Sequence, residues 1–196
     1  MDRLIARLLS VALVGAVIAG CGTSAPARFY TLDSTAAPDG ATATAGSVMV
    51  GPVSVPASID QAQFVVQEGP NRVEVEEFNR WASPLNDSNA RAVAGNLVVL
   101  LGTPDVVAGP LANFDPKYRV TIDVQRFESI QGKAAIIEAV WVVRRTAGGT
   151  RSGRTLANES VQGSGFDALA AAHSRALARV SSDIAAAIRA EAVEKS

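Results

Sequence analysis

The sequence predicts an α+β fold: a mostly antiparallel or mixed β-sheet with a central helix and a long C-terminal helix packed on it. Three observations predict it. Short β-branched and aromatic runs with period-two alternation occur before residue 80 and again between residues 118 and 162. A helical apolar pattern stands between the two groups, and a second, much longer one closes the chain. Strands first, a helix in the middle and a helix at the end differ from the strict strand–helix alternation of a parallel α/β sheet.

The first twenty residues are an address. Arg3 and Arg7 give a basic start, Leu8 to Ile18 is uncharged and apolar, and the small residues Ala19 and Gly20 precede Cys21. This is the layout of a secretory signal peptide over residues 1–20. Eleven apolar residues are too few for a membrane span, which needs about 20. Residues 21–27 form a tether, of which Gly22 to Ala27 reach at most about 20 Å when extended. Residues 28–196 then make a single domain.

Within that domain, Arg28 to Leu32 is strand-like, and Asp33 to Ser47, rich in Ala, Thr, Pro and Gly, reads as a loose loop. Val48 to Val55 is a strand whose Gly51-Pro52 marks a bulge or a sheet edge. Phe64 to Gln67, the turn Glu68-Gly69-Pro70-Asn71 and Arg72 to Glu76 make a hairpin, with Val73 and Val75 on its buried face. Ser83 to Asn89 offers Ser, Asp and Asn as N-caps for the central helix. Val93, Leu97, Leu100 and Leu101 follow at helical spacing, and Gly102 ends the helix.

Tyr118 to Phe127 alternates, with Tyr118, Val120, Ile122 and Val124 on one face and Arg119, Thr121 and Asp123 on the other. Ala134 to Val143 is more continuously apolar and suits a central strand buried on both faces. Thr146 to Thr150, with Gly148-Gly149, reads as a hairpin turn into Thr155 to Gln162. The last helix, about Asp167 to Glu194, carries Leu169, Leu177, Val180, Ile184 and Ile188 on one stripe and Arg175, Arg179 and Asp183 on the other side.

Composition narrows the chemistry. One Cys cannot form an internal disulfide, and one Cys with one His falls short of a zinc ligand set. A formal net charge of −1 gives no basic field for nucleic acid, so none is expected as a partner. The chain has no G-x-x-x-x-G-K-[ST] loop and no G-x-S-x-G elbow. Gly163-Ser164-Gly165-Phe166-Asp167-Ala168 fits G-x-G-x-x-A, but the chain ends with the helix it opens. A dinucleotide unit needs a further parallel strand, so this is a strand-to-helix turn and no cofactor is expected.

His173 falls on the apolar stripe of the last helix and reads as a structural histidine with one satisfied nitrogen. Nothing near it in sequence supplies a nucleophile or an orienting group, so an enzyme is not expected. Glu74, Glu76 and Glu77 read as solvated charges, or as an acidic surface for a partner protein. Arg144, Arg145, Arg151 and Arg154 flank the Gly-Gly turn as an edge guard, or as a contact for anionic lipid headgroups or an acidic subunit. Arg80-Trp81 reads as core packing or as a subunit or partner contact, with the guanidinium able to stack on the indole.

Ile18-Ala19-Gly20-Cys21 resembles the bacterial lipobox, which implies acylation of Cys21. Each buried methylene contributes about 0.8 kcal/mol, so two or three acyl chains hold a protein to a membrane almost permanently. Further along come Phe29-Tyr30-Thr31-Leu32, then Val50-Gly51-Pro52-Val53-Ser54-Val55-Pro56 with Ile59-Asp60. Gln63-Phe64-Val65-Val66 and Arg80-Trp81-Ala82-Ser83-Pro84-Leu85 complete the series. This series resembles the PqiC-type auxiliary lipoproteins of ABC-type envelope transport systems, with Gln61-Ala62 departing from the Arg-Pro that members often carry.

The resemblance implies a lipoprotein component of an MCE-type intermembrane system for lipids or hydrophobic solutes. Its partners would be the membrane, through the acyl anchor, and an MCE-domain conduit protein, with a permease and an ATPase in the wider system. It also implies a homo-oligomeric ring. Gly22, which is not the Asp that favours inner-membrane retention in enteric bacteria, favours the outer membrane, facing the periplasm. Two other readings are a stand-alone lipoprotein with a hydrophobic ligand in a cavity under the terminal helix, and an envelope hydrolase.

Overall fold

The structure, a computed structural model, describes residues 25–193. In chain order the elements are β1 (Arg28–Tyr30), β2 (Val48–Ser54), β3 (Gln63–Gly69), β4 (Arg72–Trp81), α1 (Leu85–Leu101), β5 (Val106–Ala108), β6 (Tyr118–Ile130), β7 (Ala134–Arg145), β8 (Thr150–Ser160) and α2 (Gly165–Val193). All eight strands belong to one mixed sheet, so the α+β expectation holds.

The sheet is laid out around β6. Along one edge β6 pairs antiparallel with β7 from Tyr118↔Arg145 to Ile130↔Ala134, and β7 pairs antiparallel with β8. The other edge of β6 is shared. Its first half pairs parallel with β2, which pairs parallel with β5. Its second half meets β3 at Val66↔Ser129, and β3 leads through β4 to β1. The register of β2 on β6 shifts between Val50 and Val53, so Gly51-Pro52 is a bulge; β2 has a neighbour on each side and is not an edge strand.

Both helices pack on the inner face of the sheet and against each other. α1 lies over β2 and β5, and α2 over β7 and β8. Val93, Leu97, Leu100 and Leu101 on α1 are buried, as are Leu169, Leu177, Val180, Ile184 and Ile188 on α2. Each such side chain contributes about 1.5–3 kcal/mol when fully buried. Ala172, Ala176 and Ala185 let α2 lie close to the sheet and are wholly enclosed, so the underside of the terminal helix is filled with side chains. Gly102 adopts φ 65°, the left-handed conformation that ends α1.

Four expectations need correction. Val73 and Val75 are 53% and 48% exposed, because the face of β3–β4 that carries them has no helix over it. β7 is central, but only one of its faces is buried; Ile136, Val140 and Val142 on the other are half-exposed. The N-cap of α1 is Pro84, with no side-chain cap bond. The 33–47 segment is not loose, since it crosses the helix pair and is pinned there. Asn96 Oδ1 accepts from the Thr35 and Ala36 amides at 2.8 and 2.9 Å, and Asn96 Nδ2 donates to Ser181 Oγ at 3.2 Å. Arg189 holds Asp39 at 2.8 and 3.1 Å and keeps its carboxyl below the usual range.

Candidate functional site

The aromatic residues of the first strands and the histidine of the last helix meet at one end of the sheet. Phe64 stacks on Trp81 with ring centroids 3.9 Å apart, and Tyr30 and Phe166 meet Phe64 edge-on at 5.4 and 5.1 Å. His173 lies flat on Phe127 at 4.0 Å, and its Nε2 shares a 2.8 Å hydrogen bond with Ser129 Oγ. Among the described residues its Nδ1 has no partner. A bare lone pair costs less to bury than an unpaired N–H, so the proton belongs on Nε2, donating to Ser129. Burial pushes the imidazole pKa down from 6.5 to about 3. A neutral ring enclosed on every side has no access to a substrate, so the structural reading of His173 describes it.

Trp81 belongs to the same cluster. It is 5% exposed and points inward, packed in the core. Arg80 does not stack on it. Successive side chains of a strand point to opposite faces, and Arg80 donates instead from Nε to the Glu77 carbonyl oxygen at 2.9 Å.

The arginines around the Gly148-Gly149 turn are likewise divided by the sheet. Arg144 is exposed on the outer face, whereas Arg145 is half-buried on the inner side. There the charges of Arg145 and Glu191 act on the phenol of Tyr118, which burial pushes above its usual range. Arg151 pairs with the buried Glu191 at 2.9 Å, and Arg154 pairs with Glu138 at 2.5 Å. Sequence alone gives Arg119 no prominence beyond its outward place on β6, but register sets it directly opposite Arg144.

At the far end, the β3–β4 hairpin projects with Val73 and Val75 on one side and Glu68 and Glu74 on the other. A carboxyl–carboxyl hydrogen bond with Glu68 raises the Glu74 pKa. β1, the strand nearest the tether, pairs with β4 at its Trp81 end and carries Phe29, which is 64% exposed. Among the described residues no three His, Cys, Asp or Glu side chains gather as a metal site. No helix among them is long and apolar enough to cross a membrane. Cys21 and the signal segment lie outside the described residues.

The arrangement is therefore a packed interior under a sheet whose outer face carries the exposed apolar and charged groups. A family model for the ABC-type transport auxiliary lipoprotein component matches residues 30–185, from the end of β1 to the middle of α2. The chain belongs to that family. As an auxiliary lipoprotein it is associated with the cell envelope and with ABC-type transport. Its fold is similar to that of a crystal structure of an uncharacterized protein, at 21% identity and a TM-score of 0.69 over 84% of this chain and 99% of that one. It is also similar to protein XCC0632 from Xanthomonas campestris, at 22% identity and a TM-score of 0.68 over 81% of this chain and 93% of that one. No curated protein sequence matches it.

Proposed function

We propose that this auxiliary lipoprotein is anchored through acyl chains on Cys21 to the outer membrane, faces the periplasm, and docks the tip of an MCE-type conduit for lipids or hydrophobic solutes. The observation that carries this reading is the family match across residues 30–185. The lipobox-like run ending at Cys21 supports the anchor. β1 begins at Arg28, and a six-residue tether reaches at most about 20 Å, so the body rides beside the bilayer. A ring of copies would surround the conduit tip, with the permease and ATPase elsewhere in the system.

The role is positional, without catalysis or a cofactor. The one histidine is sealed in the core at 0% exposure, and the space beneath α2 is filled, which gives the ligand-cavity reading no support. Affinity purification of the tagged chain from membrane extracts tests the proposal. An MCE-domain protein is expected among the captured partners, and its repeated absence under conditions that preserve other envelope complexes overturns the reading.

A further inference from the structure

The outer face of the sheet holds a feature that does not depend on the transport role. Arg119 on β6 and Arg144 on β7 are directly opposed residues, and both are exposed. Side chains at such positions start about 4.5–5.5 Å apart at Cβ, and like charges there weaken a sheet. Elsewhere on this face the chain supplies carboxylates: Arg126 meets Glu128 at 2.9 Å, and Arg154 meets Glu138 at 2.5 Å. Arg119 and Arg144 have no carboxylate among the described residues. Arg119 Nη1 donates only to Met49 Sδ, at 3.6 Å, and thioether sulfur is a weak acceptor. Asp123, farther along the same side of β6, is held by Ser54 Oγ and by Gln125.

A cavity of about 320 Å³ opens beside the two cations, lined by Met49, Pro52, Thr121 and Val142 as well as both arginines. It lies where the β2 bulge interrupts the ladder to β6 between Val50 and Val53. Guanidinium groups are suited to phosphate and carboxylate oxygens because their N–H donors are fixed in a planar fork. The rest of the wall is largely apolar. The volume falls at the small end of ligand pockets, room for a headgroup and the first carbons attached to it.

We infer that Arg119 and Arg144 form an anion site for the phosphate or carboxylate group of an amphiphile, with its adjoining apolar atoms resting against Met49, Pro52 and Val142. The pair thus tolerates its own repulsion because the bound anion relieves it.

Met49 makes the site directly observable. The chain has two methionines, Met1 and Met49, so methyl-13C methionine labelling places one of at most two resonances inside the cavity. The labelled full chain, in nanodiscs of neutral phosphatidylcholine, is titrated with inorganic phosphate and, separately, with dihexanoylphosphatidic acid. Both are expected to shift the Met49 methyl saturably, the lipid at about tenfold lower concentration because it also buries methylenes. The double variant R119Q/R144Q is expected to weaken both by about tenfold or more while melting no lower than wild type. Equal affinity for phosphate and lipid would make the site one for free anions and overturn the amphiphile. No saturable shift, or a shift unchanged in the double variant, overturns the site. Loss of a protein partner from R119Q/R144Q without any methyl response to either probe would assign the pair to an acidic protein surface, and likewise overturn it.

Discussion

On the inner face of the sheet, Phe64, Trp81, Phe127 and His173 lock ring against ring beneath α2. On the outer face, Val73, Val75 and Leu156 stand 53%, 48% and 61% exposed, and Arg119 faces Arg144 with no acid between them. Both faces are built from the same alternating strands. One is closed by helices and holds the fold together; the other is left to solvent and to whatever the protein meets. Stability is thus written on one set of alternate residues, and the proposed contacts fall on the other set of the same strands, so substitutions can separate them.

The largest effect belongs to the inner face. Trp81→Ala or Phe64→Ala removes a buried ring from the stack and is expected to cost about 3–5 kcal/mol, read by urea unfolding. If Trp81→Ala left stability intact and instead removed assembly, the division between faces would fail at its most conspicuous residue. His173 gives the next largest effect, and it depends on pH. Its folded pKa, near 3, lies below the unfolded value near 6.5, so between those values the unfolded chain binds a proton that the folded chain does not. Stability is therefore full above about pH 7 and falls as pH drops, with a slope approaching about 1.4 kcal/mol per pH unit. That slope is expected to be absent from His173→Gln when the two proteins are unfolded side by side from pH 7 to pH 4.5.

Gly153 sharpens the comparison further. A Cβ at this position would fall inside the Trp141 ring, which is fixed by its Nε1 bond to Thr155 Oγ1 at 3.0 Å. Gly153→Ala is expected to cost about 1–3 kcal/mol, measurable as a lowered Tm. The smallest effect is on the outer face. The double substitution Val73→Thr and Val75→Thr is expected to stay within about 0.5 kcal/mol of wild type by the same unfolding assay. A loss of several kcal/mol would mean that this hairpin face is core after all.

Much of the fold was legible in the sequence where a period is long enough to count. The alternation of β6 set Tyr118, Val120, Ile122 and Val124 on one face, which is the buried one, and the stripe of α2 placed Leu169 through Ile188 on the core. Val73 and Val75 misled because alternation separates two faces without saying which has a cover. β5 escaped because three residues carry no period. The strap over the helices was invisible because Asn96, Asp39 and Arg189 find partners far away in the chain. Arg119 was hidden for the same reason, since its place opposite Arg144 exists only once β6 and β7 are in register. The burial of His173, by contrast, followed from its place on the stripe of the last helix.

The proposed function rests on position, and position rests on the sulfur at residue 21. The most direct test is Cys21→Ser, expressed in cells that lack the native copy, with envelope fractionation and capture of the MCE-domain partner measured together. The variant is expected to retain the wild-type Tm, leave the membrane fraction and bring down no conduit protein. A Cys21→Ser chain that stayed with the outer membrane and captured its partner in full would contradict the account.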